Sequence, residues 1–292
     1  MFLITGATGY SGSAVVHEFA RNKVAVRVLV RNLAKAEATG LTALPGVNIV
    51  EGDMLRPDTL GPAFEGVRRL LLISSAREQL VETQFTFIDA AKLSGVEHIV
   101  KFSGLESGIG FNQEAFRGTR RHHEIERYLE QSGLAWTHIR PSQFMQMYLW
   151  EPPTIASNRA LIRPMGQGRT SPVDIVDIAK VCFSLLCGTG HEGKSYDMTG
   201  PEAFTMTDVA AIISTVIGQE IPYVDCALDK YMSLLSGLPL ELSEVLSEVY
   251  AERRLRSESR IHLDTHHLCG VRPTTFAEFA ERHSMAFVGQ ST

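Results

Sequence analysis

Cysteine is scarce. Four in 292 residues (Cys182, Cys187, Cys226, Cys269), none in a Cys-x-x-Cys pair, exclude a disulfide-stapled scaffold and lead us to expect a reduced, cytoplasmic setting. Long apolar runs are missing too. The first, Met1 to Thr5, is broken by Gly6 before it reaches the length of a signal peptide, and no stretch approaches the roughly 20 residues of a membrane span. Nor is there an excess of positive charge: a net charge of −5 argues against a nucleic acid or an anionic membrane as partner, because both need a basic surface. No internal repeat, low-complexity segment or clean linker is visible, and 44 % apolar with 21 % charged residues excludes a disordered chain.

What is present is alternation. Phe2 to Thr5 reads as a buried strand, Tyr10 to Asn22 as a helix with Val15, Val16 and Phe19 on one face, and Val24 to Val30 as a second strand. The rhythm continues with strands at 47–50, 69–73, 99–102 and 136–139, the last stopped by Pro141, and helices at 58–64, 78–93 and 118–130. Alternating β and α elements of this length form an α/β Rossmann-type fold, a doubly wound parallel sheet covered on both faces. After about residue 140 loop clusters separate shorter elements, with helices expected at 174–186, 207–217, 240–256 and 276–283. We therefore expect a cofactor-binding domain over residues 1–150 and a smaller α+β substrate lobe over 151–292, packed on it and partly interleaved with it.

Gly6-Ala7-Thr8-Gly9-Tyr10-Ser11-Gly12 lies between the first strand and the first helix. Glycines at this spacing let the chain turn sharply, leave room for a pyrophosphate and aim the helix's free N–H groups at it, with Thr8 and Ser11 as further donors. A site for NAD would place Asp or Glu after the second strand to hold the ribose hydroxyls; this chain has Arg31, which suits a 2′-phosphate, and Lys35 one turn on. NADP(H) is the expected cofactor. Asp53-Met54 after the third strand and Ser74-Ser75 after the fourth are candidates for the adenine and ribose borders, since strand carboxyl ends line the crevice of such sheets. Phe144, Met145, Met147, Tyr148 and Trp150 form the densest aromatic and Met cluster; Phe144, Met147 and Tyr148 are candidates to wall an apolar, planar-substrate pocket, with core packing as the alternative. His266-His267-x-Cys269 has no second cluster at metal-site spacing, so no metal is expected, and the arginines between Glu252 and Arg260 read as a solvated helix face.

The Gly-Ala-Thr-Gly-x-x-Gly loop with Arg31-Asn32, together with His122-x-x-x-Glu126, Ser132-Gly133-Leu134-Ala135-Trp136-Thr137, Arg140-Pro141-x-x-Phe144-Met145, Val173-Asp174-x-x-Asp177 and Arg272-Pro273-x-x-Phe276, resembles the NmrA-like group of atypical short-chain dehydrogenase/reductases. That resemblance implies NADPH-dependent reduction of quinones, azo dyes or triphenylmethane dyes, or, alternatively, a non-catalytic regulator that senses the NADP redox state. The Tyr-x-x-x-Lys pair of ordinary short-chain dehydrogenases is absent: Tyr128, Tyr148 and Tyr196 are followed at the fourth place by Ser132, Pro152 and Gly200. Where the isoflavone-reductase branch has a catalytic Lys, counting back from Gly133 lands on His122, which becomes the candidate proton donor, while His123 is expected at the surface. The expected partner is a small aromatic or quinone-like molecule, with a homodimer left open.

Overall fold

The computed structural model describes residues 1–75, 79–104, 116–150, 154–234 and 240–289. Their strands are β1 (Phe2–Ile4), β2 (Val26–Val30), β3 (Val47–Glu51), β4 (Arg69–Leu72), β5 (His98–Phe102), β6 (Ala135–Pro141), β7 (Leu161–Arg163), β8 (Lys194–Met198) and β9 (Tyr223–Asp225). Seven of them form one parallel sheet in the order β3-β2-β1-β4-β5-β6-β8, and β7 pairs with β9 in a small parallel ribbon. The helices are α1 (Tyr10–Arg21), α2 (Leu33–Ala38), α3 (Gly61–Phe64), α4 (Leu80–Leu93), α5 (Arg117–Gln131), α6 (Met147–Trp150), α7 (Thr154–Asn158), α8 (Ile175–Cys187), α9 (Met206–Ile217), α10 (Leu228–Leu234), α11 (Leu240–Arg254), α12 (Asp264–Leu268), α13 (Phe276–Arg282) and α14 (Ser284–Phe287).

The period of two along each strand sends side chains to both faces, and both faces are covered. Ile4, Val28, Val100 and Ile139 pack under α1 and α8 with Val15, Phe19, Ile178 and Leu185, while Leu3, Leu29 and Ile99 pack under α4 and α5 with Phe87, Ile88, Ile125 and Leu129. Full burial of a side chain such as Phe19 contributes roughly 2–3 kcal/mol. A third core, built on Val209, Ile213, Phe276 and Phe279, holds the C-terminal elements together. Two acids of the Val173-Asp174-x-x-Asp177 motif fasten that region. Asp174 caps α8 by accepting from Val176 N at 2.9 Å, takes a bond from Gln146 Nε2 at 2.7 Å and pairs with Arg282; Asp177 accepts from Thr274 N at 2.7 Å.

Several elements depart from the expected pattern, each for a local reason. The helix expected over 58–64 is two pieces, a 3-10 turn at Pro57–Thr59 and α3, so that Pro62 falls in a first turn where its missing N–H costs nothing. Pro141 ends β6 from inside. Ser142 N donates to Met198 O on the β8 side, so the Pro141 nitrogen faces β5, which has already ended at Phe102. The expected helix through Arg256 stops at Arg254, and Arg253 is not solvated but buried, donating to Gln143 Oε1 at 2.7 Å. β8 was not anticipated, because Lys194-Ser195-Tyr196-Asp197 is polar; as the sheet's last strand it pairs with β6 alone.

Candidate functional site

The strand order puts the loop after β1 within the sheet's carboxyl edge, flanked by the loops after β2 and β4. Gly6 has a φ of +65°, in the left-handed region that favours glycine, and a Cβ there would lie 2.9 Å from the Ile73 carbonyl oxygen. At Gly12 a Cβ would stand 2.4 Å from the Gly6 oxygen and 2.9 Å from Ala7 Cα, so only glycine lets α1 start this close to β1. Thr5 closes the turn from below, donating to Ile73 O at 2.6 Å and accepting from Ile73 N at 2.8 Å. Helix α1 begins at Gly9 with no side-chain cap and no acid in its first turn. A helix start left in that form, with Thr8 and Ser11 half-buried and Gly9 and Tyr10 exposed around it, is a cradle for an anion.

Arg31 follows β2 at the same edge, exposed and without a hydrogen-bond or ion-pair partner among the described residues. Asn32 caps α2 by accepting from Lys35 N at 3.0 Å, which leaves the Lys35 side chain in solvent one turn from Arg31. Asp53, half-buried after β3, turns its carboxylate onto Leu55 N at 3.0 Å, and Met54 beside it is 7 % exposed, packed with Leu29 and Leu60 rather than open to the crevice. Ser74 accepts from Gln84 Nε2 at 3.0 Å and Ser75 is exposed; residues 76–78, where the helix expected over 78–93 was to begin, lie outside the described residues. The edge therefore brings together the glycine loop, Arg31, Lys35, Asp53, Ser74 and Ser75, and leaves Met54 in the core. These residues fit a dinucleotide with a 2′-phosphate: the cradle is one a Cβ would fill, and Arg31 is a cation with nothing else to hold.

Beside it, β5, β6 and α5 enclose a polar layer that spacing did not reveal. His122, Glu126 and Glu130 recur every fourth residue and so share one face of α5. Opposite them stand Lys101 from β5 and, in register with it, His138 from β6, followed by Arg140. Lys101 Nζ lies 3.1 Å from His122 Nδ1 and 3.3 Å from the Phe102 carbonyl; Arg140 grips Glu126 through two bonds, at 3.0 and 2.6 Å; His138 Nε2 sits 3.2 Å from Glu130 Oε1. Burial pushes the Lys101 ammonium down to about 7, and the same desolvation, helped by Lys101, holds His122 down to about 3. Burial pushes the Glu126 carboxyl up, but bonds from Arg140 and Ser103 overcome it and hold the group at about 2. Desolvation likewise keeps His138 neutral, down to about 3. Lys101 pairs in register with Leu72, the residue before Ile73 that packs on Gly6, so this layer adjoins the glycine turn. A lone Lys inside Ile99-Val100-Lys101-Phe102 was the one signal that could have revealed it. His123, expected at the surface, is half-buried with Nδ1 enclosed and without a partner among the described residues.

The sequence model of the NmrA-like family matches residues 1–280. The chain belongs to the NmrA-like family. An NAD(P)H azoreductase from Xenophilus azovorans is 33 % identical over 290 residues, 98 % of this chain and 99 % of its own length. Quinone oxidoreductase 2 of Escherichia coli (strain K12) is 31 % identical over 256 residues, 85 % of this chain and 86 % of its own. The crystal structure of an NADPH-dependent quinone oxidoreductase from Escherichia coli complexed with NADPH is similar at a TM-score of 0.85 and 29 % identity, covering 97 % of this chain and 99 % of that one.

Within this NmrA-like chain the aromatic and Met cluster after β6 divides. Phe144 and Met147 are half-buried, Phe144 edge-on to Phe102 at 6.2 Å and so beside the end of β5. Tyr148, also a candidate for the pocket wall, is 6 % exposed: its ring lies 4.0 Å beneath the Arg163 guanidinium and 5.0 Å from Phe276, and its hydroxyl points at Met206 Sδ. That packing ties it to the third core. Trp150 contributes its backbone to α6, and its side chain lies outside the described residues, as do residues 151–153.

Proposed function

We propose that this NmrA-like protein is an NADPH-dependent reductase that transfers hydride to an apolar conjugated acceptor such as a quinone or an azo compound. The observation that carries the cofactor assignment is the glycine cradle beside a partnerless Arg31, and the acceptor class is supported by the azoreductase and quinone oxidoreductase relatives. When bound, NADPH supplies the hydride. This chain's residues supply the rest: the glycine loop and α1 hold the pyrophosphate, Arg31 with Lys35 the 2′-phosphate, Asp53, Ser74 and Ser75 the ribose and adenine borders, and Phe144 with Met147 an apolar wall for the acceptor. His122, on α5 against Lys101 of β5, gives a proton to the anion that hydride addition creates. Free thiols and a net charge of −5 suit a small-molecule enzyme of the reducing cytoplasm. Among the described residues no helix is long and apolar enough to cross a membrane.

Loss of NADPH absorbance with a panel of quinones and azo dyes tests the activity; tight NADPH binding with no acceptor reduced would overturn it. His122→Ala is expected to lower turnover about 10²- to 10⁴-fold with the NADPH dissociation constant unchanged. An unaltered turnover number removes His122 from the chemistry.

A further inference from the structure

Lys101 is fully buried, yet it forms no ion pair with a described carboxylate. The Glu126 carboxylate, which faces the same layer, is engaged by two nitrogens of Arg140, Nε and Nη2. What Lys101 does hold is the ring of His122. An ammonium can only donate, so Nδ1 must accept and the imidazole proton must sit on Nε2. Nε2 has no partner among the described residues, and the ring is partly exposed.

That arrangement exposes a difficulty in using His122 alone. Burial, reinforced by Lys101, keeps the ring neutral down to about 3, so near neutral pH it carries one proton and not two. Giving up that proton without replacement would leave an imidazolate. We propose that Lys101 and His122 form a two-group proton relay for the reduction, in which Nε2–H protonates the acceptor while Lys101 passes a proton to Nδ1. This inference rests on the reductase reading with His122 as donor. The step balances. The acceptor gains two electrons and one hydrogen as hydride; the anion so formed takes the Nε2 proton, making one O–H or N–H bond and breaking one N–H bond. The Nδ1 lone pair takes a proton from Lys101, which becomes the neutral amine. His122 stays neutral and changes tautomer, and a solvent proton restores the pair.

Lys101 suits the role of reservoir. The groups facing it are His122 and Glu126 from α5 and His138 and Arg140 from β6, with Asp197 of β8 beyond Arg140. Burial dominates, Glu126 opposes it and Arg140 adds to it, bringing the ammonium into the neutral range at about 7. Lys101 therefore acts through His122, positioning its tautomer and refilling it.

The test combines a spectroscopic readout with kinetics on the full-length protein. In protein labelled with ¹⁵N-histidine, the long-range ¹H–¹⁵N spectrum should show His122 as the Nε2–H tautomer at about pH 6, with a change centred near pH 7 as Lys101 titrates, and Lys101→Met should abolish that change. With 2-methyl-1,4-naphthoquinone as acceptor, wild-type kcat should fall with rising pH above about 7. Lys101→Met should lower kcat at least about tenfold and flatten the profile, with NADPH affinity unchanged. Lys101→Arg should keep the Nε2–H tautomer without restoring kcat, because a guanidinium donates hydrogen bonds but does not release its proton. A His122 tautomer indifferent to Lys101→Met overturns the relay. So does an unchanged kcat and pH profile in that variant, with the reductase reading left standing. A wild type that binds NADPH and reduces no acceptor overturns the reductase reading, and the relay with it.

Discussion

Replacing Lys101 by Met should stabilise the protein at neutral pH and lose that advantage in alkali. In the unfolded chain the ammonium titrates at its ordinary value of 10.5; in the fold, burial brings it to about 7. Below about pH 7 both states are protonated and the folded state carries the full penalty of an ammonium inside the sheet, about 5 kcal/mol for a shift of this size. Between about pH 7 and 10.5 the folded protein has released the proton and the unfolded chain has not, so the penalty shrinks by up to about 1.4 kcal/mol per pH unit and is gone above that range. Met fills nearly the same volume and carries no charge, so it avoids the penalty, but it leaves His122 Nδ1 without its donor, a loss of about 2 kcal/mol. The variant should therefore be roughly 2 kcal/mol more stable than wild type at pH 7, with the difference falling through zero near pH 9. His122 titrates near 3 and adds no slope in this window. Urea unfolding of both proteins at intervals between about pH 6.5 and 10 measures the difference directly. A difference that stays flat across that range would mean that Lys101 titrates at its ordinary value and would refute the reasoning.

Three further substitutions probe the rest of the site. Gly12→Ala places a methyl 2.4 Å from the Gly6 oxygen, a backbone atom that cannot move aside alone; a loss of about 1–3 kcal/mol in thermal or urea unfolding and a much weakened NADPH titration are expected. Arg31→Ala removes the guanidinium proposed to grip the 2′-phosphate, so the preference for NADPH over NADH should fall about 10- to 100-fold, and an unchanged ratio of dissociation constants would free Arg31 of that role. Glu126→Gln leaves the Arg140 guanidinium with only the longer pair to Asp197 at 3.8 Å and should cost about 3–5 kcal/mol near neutral pH. Because Glu126 titrates at about 2 in the fold and at 4.5 when unfolded, its contribution is complete above 4.5 and fades toward 2; unfolding free energies of wild type and variant should converge as the pH falls through that range.

The glycine loop was legible because everything it needs is local. Seven consecutive residues set a left-handed turn, a close helix start and an uncapped N-terminus, and the absence of side chains is itself the signal. Arg31 was legible for a related reason, since its place is fixed by distance along the chain from that loop to the next strand end. Apolar runs likewise marked both buried faces of the sheet. Where neighbours decide, the sequence was silent. Tyr148 read as pocket wall or core and Met54 as an adenine border, and the packing of Arg163 and Phe276 on the one and Leu29 and Leu60 around the other put them inside. β8 is too polar to announce itself, and becomes a strand because β6 offers it an edge.

His122-x-x-x-Glu126 could be seen as one helix face, yet nothing in the spacing showed what that face meets. Only the register of β5 with β6 and the seat of α5 above them bring Lys101 within 3.1 Å of His122 and Arg140 onto Glu126. Periodicity tells which side of an element is buried and leaves open what it is buried against. The sequence by itself thus determined the fold class and the glycine turn that opens α1, both products of local backbone freedom and apolar pattern. The polar layer and its shifted protonation were decided by tertiary structure alone, because desolvation and charge pairing depend on residues distant in the chain that only folding makes neighbours.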